Sequence, residues 1–238
     1  MKILLATYWL IPHVGGVWKY MLQIQQRLEA MGHQVDLLGN SPDYSKFHII
    51  NRGQELSKTA LRPFLASKLS AEHAPWLHRD PYIHFYEEDR YFMELSAAYF
   101  GLGQYDVIHT QDIFAARAIH RVKPARVPLV AQVHGSVSGE LHNHFRLNPH
   151  LGIGEQSAAW KYFDSIEYHG ATSGQLTITS TQWQKNELVH DFGVPEGRIE
   201  VFQSAWTPCP SGRAYNMEPR CNGRPAKRLS SCPQDLRS

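Results

Sequence analysis

Cysteine is missing from the first 208 residues of this chain of 238. The three present, Cys209, Cys221 and Cys232, fall in the last thirty positions, so the body is not a disulfide-stapled scaffold. No apolar run approaches the roughly 20 residues needed to cross a bilayer as a helix. The apolar opening is cut by Pro12 and His13 too early to read as a secretory signal, and the expected compartment is cytoplasmic. No G-x-G-x-x-G follows the first apolar run, and Asp36 lies inside the second strand rather than at its end, which disfavours a nicotinamide dehydrogenase. A P-loop and a G-x-S-x-G elbow are also absent, so NTPase and hydrolase readings lack their phosphate cradle and their nucleophile.

What is present is ordinary soluble-domain composition, 42% hydrophobic and 19% charged, which excludes a disordered chain or a fibrous repeat. The charge is unevenly spread. Residues 203–238 carry six Lys+Arg against two Asp+Glu, together with five of the fourteen prolines, while residues 1–202 carry 18 against 20. The basic balance belongs to the C-terminal stretch and is no evidence for a nucleic-acid surface on the body.

In the body, apolar runs alternate with helical patterns. Residues 2–9 form a nearly uniform apolar run, as in a strand buried on both faces. A turn at Gly15-Gly16 leads into a helix with Val17, Tyr20, Met21, Ile24, Leu28 and Met31 on one stripe, closed by Gly32. Residues 34–39 read as the second strand of a βαβ unit, whose right-handed crossover makes the pair parallel. The pattern recurs with strands at 105–110, 128–134, 176–180 and 199–202, and helices at 112–122, 154–168 and after the Thr181/Gln184 capping box. The fold class expected is α/β, a doubly wound parallel, Rossmann-like sheet in one domain of residues 1–202. Between 41 and 103 the reading is less regular, with a strand at 47–51 and helices at 54–69 and 82–100. The first of these helices carries Lys58, Arg62 and Lys68; such a helix can lie weakly on an anionic membrane at its inner face, or pack as an ordinary surface helix.

Ligands of such sheets bind outside the carboxyl ends of the strands, where the strand order reverses, which selects a few residues. Gly15 and Gly16 stand before a helix N-terminus, where backbone N–H groups can approach a phosphate; a tight turn into the helix accounts for them equally. His134 ends an apolar strand before Gly135 and is the candidate catalytic residue, able to donate to a sugar hydroxyl or a developing charge, or else to serve as a strand-end hydrogen bonder. His109 repeats the arrangement one strand earlier, with Asp112 as its partner or as a helix N-cap, the cap being preferred. His134, His142, His144 and His150 gather in one loop, but their spacing is not that of a structural zinc site, and no metal is expected.

Taken in order, these segments resemble the N-terminal domain of the family 4 retaining glycosyltransferases, which have the two-domain GT-B architecture. Pro12-His-Val-Gly-Gly-Val17 with Leu28-Glu-Ala-Met-Gly-His-Gln-Val35 is similar to that family's opening. Tyr105-Asp-Val-Ile-His-Thr-Gln-Asp112 is similar to its D-V-(I/L)-H-x-H segment, with Gln111 in place of the usual second histidine. Val133-His134-Gly135 and the run from Leu176 to Val201 are similar to its later strand ends. The resemblance covers residues 1–202. It implies that Gly15 and Gly16 face the diphosphate of a nucleotide-sugar donor, that His134 contacts the transferred sugar, and that Tyr8, His109 and Asp112 line the acceptor side. It implies no cofactor or metal, only the nucleotide-sugar and a small-molecule, lipid or polysaccharide-precursor acceptor. The family's second Rossmann domain and its E-x7-E motif have no counterpart in these residues, so the domain is expected to be inactive alone and to self-associate through its uncovered face. A non-catalytic sugar- or phosphate-binding module, and half of a GT-B-fold epimerase, are the alternatives.

Residues 203–238 are expected to be an unstructured tail. The three cysteines are separated by eleven and ten residues with no nearby histidine, which argues against zinc. In the resembling family the last strand leads into Asn-Gly-Val-Asp. Gly-Val-Asp written ggc gtg gac and read one base later begins gcg tgg ac, the Ala205-Trp206-Thr207 found here. A change of reading frame near residue 203 is therefore expected. Translation of the downstream DNA in the neighbouring frame should yield a second Rossmann domain containing E-x7-E, and its absence would sink the frame change.

Overall fold

The computed structural model describes residues 1–202; the expectations for residues 203–238, the frame change and the cysteines among them, lie outside the described residues. The first strand, β1 (Lys2–Leu10), occupies the middle of an eight-stranded sheet and is buried along most of its length. Its alternation serves two layers. Ile3 and Leu5 pack with Met21, Val35 and Leu37 on one face, while Leu4 and Ala6 join the larger cluster on the other. That is why the strand reads as apolar throughout.

Helix α1 (Gly16–Ala30) covers the first face and returns the chain to β2 (Gln34–Asn40), which pairs parallel with β1. Strand β3 (Lys46–Ile49) and strand β4 (Gln54–Ser57) come next, and the sheet continues across β1 through β5 (Val107–Thr110), β6 (Leu129–Val133), β7 (Leu176–Thr179) and β8 (Ile199–Val201). The order is β4-β3-β2-β1-β5-β6-β7-β8, parallel from β2 to β8. On the second face lie α3 (Pro81–Phe100), α4 (Ile113–Val122) and α6 (Ala158–Ala171), with α4 packed against both others. Helices α2 (Lys58–Lys68), α5 (Val137–Leu147) and α7 (Gln182–His190) complete the seven among the described residues. The doubly wound α/β class is as expected, and the caps at Asp80, Asp112 and Thr181 are formed by side-chain oxygens accepting backbone N–H groups.

Three local expectations are corrected. The sheet is not wholly parallel: β3 is antiparallel to β2, and β4 to β3. The connection from β2 to β3 turns at Tyr44, whose φ is +58°, and is too short for the crossover helix that a parallel neighbour requires. The helix expected from residue 54 begins only at Lys58, because Gln54–Ser57 pair with β3 and the Ser57 hydroxyl then caps α2 by accepting from the Thr59 N–H. Of the four clustered histidines, His142 and His144 lie in helix rather than loop. Ser136 caps α5 through the Gly139 N–H and Ser157 caps α6 through the Trp160 N–H, so the expected helix at 154–168 is displaced toward Ala158–Ala171.

Packing of α6 on α4 depends on Gly170. A Cβ there would lie 2.4 Å from the Ile113 Cβ and 2.5 Å from its carbonyl oxygen, both at the rigid start of α4. Gly170→Ala should destabilise the protein by about 2–3 kcal/mol in urea unfolding. Gly197→Ala, whose added Cβ meets nothing within 4 Å, should shift stability by under about 0.5 kcal/mol. Equal effects of the two would count against this packing.

Candidate functional site

The crossovers reverse direction between β1 and β5: β1 leads leftward through α1 to β2, while β5 leads rightward through α4 to β6 on the opposite face. The carboxyl ends of β1, β5 and β6 therefore border the crevice where such sheets bind ligands.

At the end of β1, Gly15 occupies the N-cap of α1 in extended conformation, and no side chain caps that helix. Its amide is already used, donating to His13 Nδ1 at 2.9 Å, and a Cβ at Gly15 would meet the same nitrogen at 2.8 Å. Around Gly16 there is open space. The first turn of α1 carries no acidic side chain, so no carboxylate there competes for its N–H groups and dipole.

At the end of β5, Asp112 is buried and holds three groups. One oxygen accepts from the Ala115 N–H at 2.7 Å, capping α4; the other accepts from the Thr7 hydroxyl at 2.7 Å and the Tyr8 N–H at 2.8 Å. Burial raises its pKa and these hydrogen bonds oppose the rise. Asp112 thus ties β1 to α4 rather than to His109. Tyr8 is fully buried, packed against Trp9 and Phe114 at ring separations of 5.2 and 4.8 Å. Its hydroxyl has no hydrogen-bond partner among the described residues.

The two candidate histidines are brought together across β5 and β6. His134 Nε2 lies 3.0 Å from Gln111 Oε1. The Gln111 amide nitrogen is turned toward the His109 carbonyl, which leaves Oε1 as acceptor and places the imidazole proton on Nε2. The His134 ring meets Tyr20 of α1 edge-on at 4.8 Å, and the Tyr20 hydroxyl donates to Gln132 Oε1 at 3.0 Å. Gln132 also hydrogen-bonds the His109 side chain, while His109 Nε2 is buried without a partner among the described residues. Burial pushes both imidazoles down to about 4, so both are neutral at pH 7. With its one ring proton given to Gln111, the neutral His134 imidazole offers a hydroxyl only the acceptor Nδ1; at that pKa it is a weak base near neutrality.

Helical spacing assigns Tyr20 to the apolar stripe of α1, and Gln111 stands out in the sequence only as a departure from the family pattern. Gln132 carries no motif. A glutamine inside the otherwise apolar Leu129–Val133 is the one signal that could have found it. Of the other histidines, His142 stacks on Trp160 at 3.7 Å and lies 3.4 Å from Asp164 Oδ1. Among the described residues no three His, Cys, Asp or Glu side chains gather in a metal-holding group, and no helix is long and apolar enough to cross a membrane. Asp36 is occupied within β2 by Arg52 at 2.7 Å and the Tyr105 hydroxyl at 2.9 Å.

The family model described as Glycosyltransferase Family 4 matches residues 14–204. Among solved structures, the crystal structure of Anabaena Alr3699/HepE in complex with UDP is similar at 16% identity with a TM-score of 0.41, the match covering 84% of this chain. The chain spans 43% of the length of that protein. No curated protein matches the chain significantly.

The neutral histidines make an acid-side prediction. An unfolded histidine titrates near 6.5, so the stability that His109 contributes is complete above about pH 6.5 and is lost as pH falls toward about 4. Buried Glu167, raised to about 7 by burial, acts in the opposite sense in the same window. It cancels when a His109→Gln variant is compared with wild type. Between pH 7 and pH 5 the wild type should lose about 1–2 kcal/mol more than His109→Gln in urea unfolding; equal losses would show that His109 titrates normally in the fold.

Proposed function

Since the chain belongs to glycosyltransferase family 4, we propose that residues 1–202 are the acceptor-side domain of a GT-B transferase, moving a sugar from a nucleoside diphosphate donor to an acceptor hydroxyl with retention. The observation that carries this reading is His134, kept neutral by burial and oriented at the mouth of the crevice by its hydrogen bond to Gln111 and its ring contact with Tyr20. There it hydrogen-bonds a hydroxyl of the transferred sugar near the reacting centre. Such an interaction contributes through position and directed dipole rather than through proton transfer.

Gly15 and Gly16 face the donor diphosphate, the contact coming from the uncapped N–H groups and dipole of α1 while the Gly15 amide itself stays on His13. His109 acts on the acceptor side by way of Gln132, and the buried Tyr8 and Asp112 shape that side without touching the acceptor. The acceptor is a small molecule or a lipid or polysaccharide precursor. Exposed Phe64, with Arg62 and Lys68 on α2, suits weak contact with an anionic membrane carrying a lipid acceptor.

Most donor contacts in this reading belong to a second Rossmann domain, so this domain alone binds sugars weakly and turns nothing over. The purified chain, incubated with UDP- and GDP-sugars, should release no nucleoside diphosphate above the buffer rate. Saturation-transfer NMR should nonetheless show weak sugar contact that His134→Ala removes. Clear turnover would overthrow the inactive half-enzyme, and sugar contact indifferent to His134→Ala would remove His134 from the site.

A further inference from the structure

Outside the crevice, α3, α4 and α6 border an open cavity of about 240 Å³ whose lining is rich in arginine: Arg90, Arg117 and Arg121, with Glu87, Tyr91 and Trp76 beside them. Helix α4 begins at the crevice with the Asp112 cap. Arg117 and Arg121 are five and nine residues further on, roughly 8 and 13 Å along the helix axis, and none of the crevice residues lines this cavity, so it is separate from the strand-end site.

Its charges do not balance. Arg90 is fully engaged, with Nε and Nη2 donating to Glu87 at 2.9 and 2.7 Å and Nη1 donating to Glu94 at 2.8 Å. Arg121 Nε shares that Glu94 oxygen at 2.8 Å. Arg117 has no hydrogen bond or ion pair among the described residues. Three guanidinium groups thus face two carboxylates. His169 is held toward its neutral form by burial and by Arg117, and adds no compensating charge. Burial, Arg121 and Arg90 lower the Arg117 pKa, and Glu87 and Glu94, whose carboxylates are already hydrogen-bonded to Arg90 and Arg121, offset this only in part.

An unpaired guanidinium in a concave, half-buried place presents a fork of N–H donors that matches a carboxylate or phosphate bidentately. The walls beside it are aromatic: Tyr91, whose ring carries the Arg90 guanidinium at 4.2 Å, and Trp76, which is 43% exposed. The volume is below the roughly 300 Å³ at which drug-sized ligand pockets begin, so the occupant is small. We propose that this cavity binds a small organic oxyanion, a phosphate monoester or carboxylate, with its charged group on Arg117 and its carbon body against Tyr91 and Trp76. The site is independent of glycosyl transfer.

Calorimetric titration of the full chain with phenyl phosphate, benzoate, inorganic phosphate and uncharged benzyl alcohol tests it. Phenyl phosphate or benzoate should bind one to one, the stronger of the two identifying the oxyanion. Inorganic phosphate should bind more weakly for want of the aromatic contact, and benzyl alcohol should not bind. Arg117→Gln should weaken binding at least tenfold. Arg117→Lys should fall between, because an ammonium keeps the charge and loses the fork. Arg117 supports no ion pair, so both variants should show the wild-type circular dichroism spectrum. Affinity unchanged in Arg117→Gln, or no organic anion bound by the wild type at millimolar concentration, would overturn the proposal.

Discussion

The buried carboxylate of Asp112 is the constraint on which the crevice depends. A buried carboxylate is costly unless its oxygens are satisfied, and here the Thr7 hydroxyl and the Tyr8 and Ala115 N–H groups satisfy it. Two of these come from β1, more than a hundred residues away in sequence, and the third from the first turn of α4. The carboxylate therefore sets the end of β1 against the start of α4 where the sheet's crossovers reverse. The preceding residue, Gln111, is held on the same strand end by its N–H donating to the Ala6 carbonyl at 2.8 Å. Its side chain is thereby presented to His134. Removal of the lock would free the glutamine that fixes the imidazole.

That placement assembles an uncharged polar cluster. His109, Gln132, Tyr20, His134 and Gln111 join α1, β5 and β6 through hydrogen bonds and one ring contact. Both imidazoles are kept neutral by burial rather than by a neighbouring base. Gln111, standing where the resembling family has a second histidine, adds no further titrating group to the crevice and provides an acceptor whose orientation is itself fixed by the His109 carbonyl. The cluster suits recognition of hydroxyl-rich ligands, where directed donors and acceptors are needed more than charge. Formal charge is placed elsewhere, in the helical layer around Arg90, Arg117 and Arg121.

Local signals are legible wherever one segment's own chemistry decides the outcome. The apolar run of β1, the stripe of α1 ended by Gly32 at φ +83°, and the Asp112 and Thr181 caps are readable because each is settled within a few residues. Sequence patterns mislead where partners are distant or where one pattern suits two structures. The edge strands β3 and β4 are short and half-polar, and only pairing with each other and with β2 makes them strands. Helix α5 is hidden because Gly139 and its histidines look like loop composition, yet the Ser136 cap and the packing of Phe145 and Leu141 into the core decide for helix.

By itself, then, the sequence determined the alternation of strand and helix, the doubly wound class, and the candidates at the strand ends, because periodicity and capping act over one or two turns. Tertiary structure alone decided how those candidates are used. Tyr20 and Gln132 meet across 112 positions, Tyr8 turns into the core, and Asp112 serves the backbone rather than His109. The physical reason is that hydrogen bonds and burial are properties of neighbours in space, and sheet order, which no local pattern encodes, chooses those neighbours.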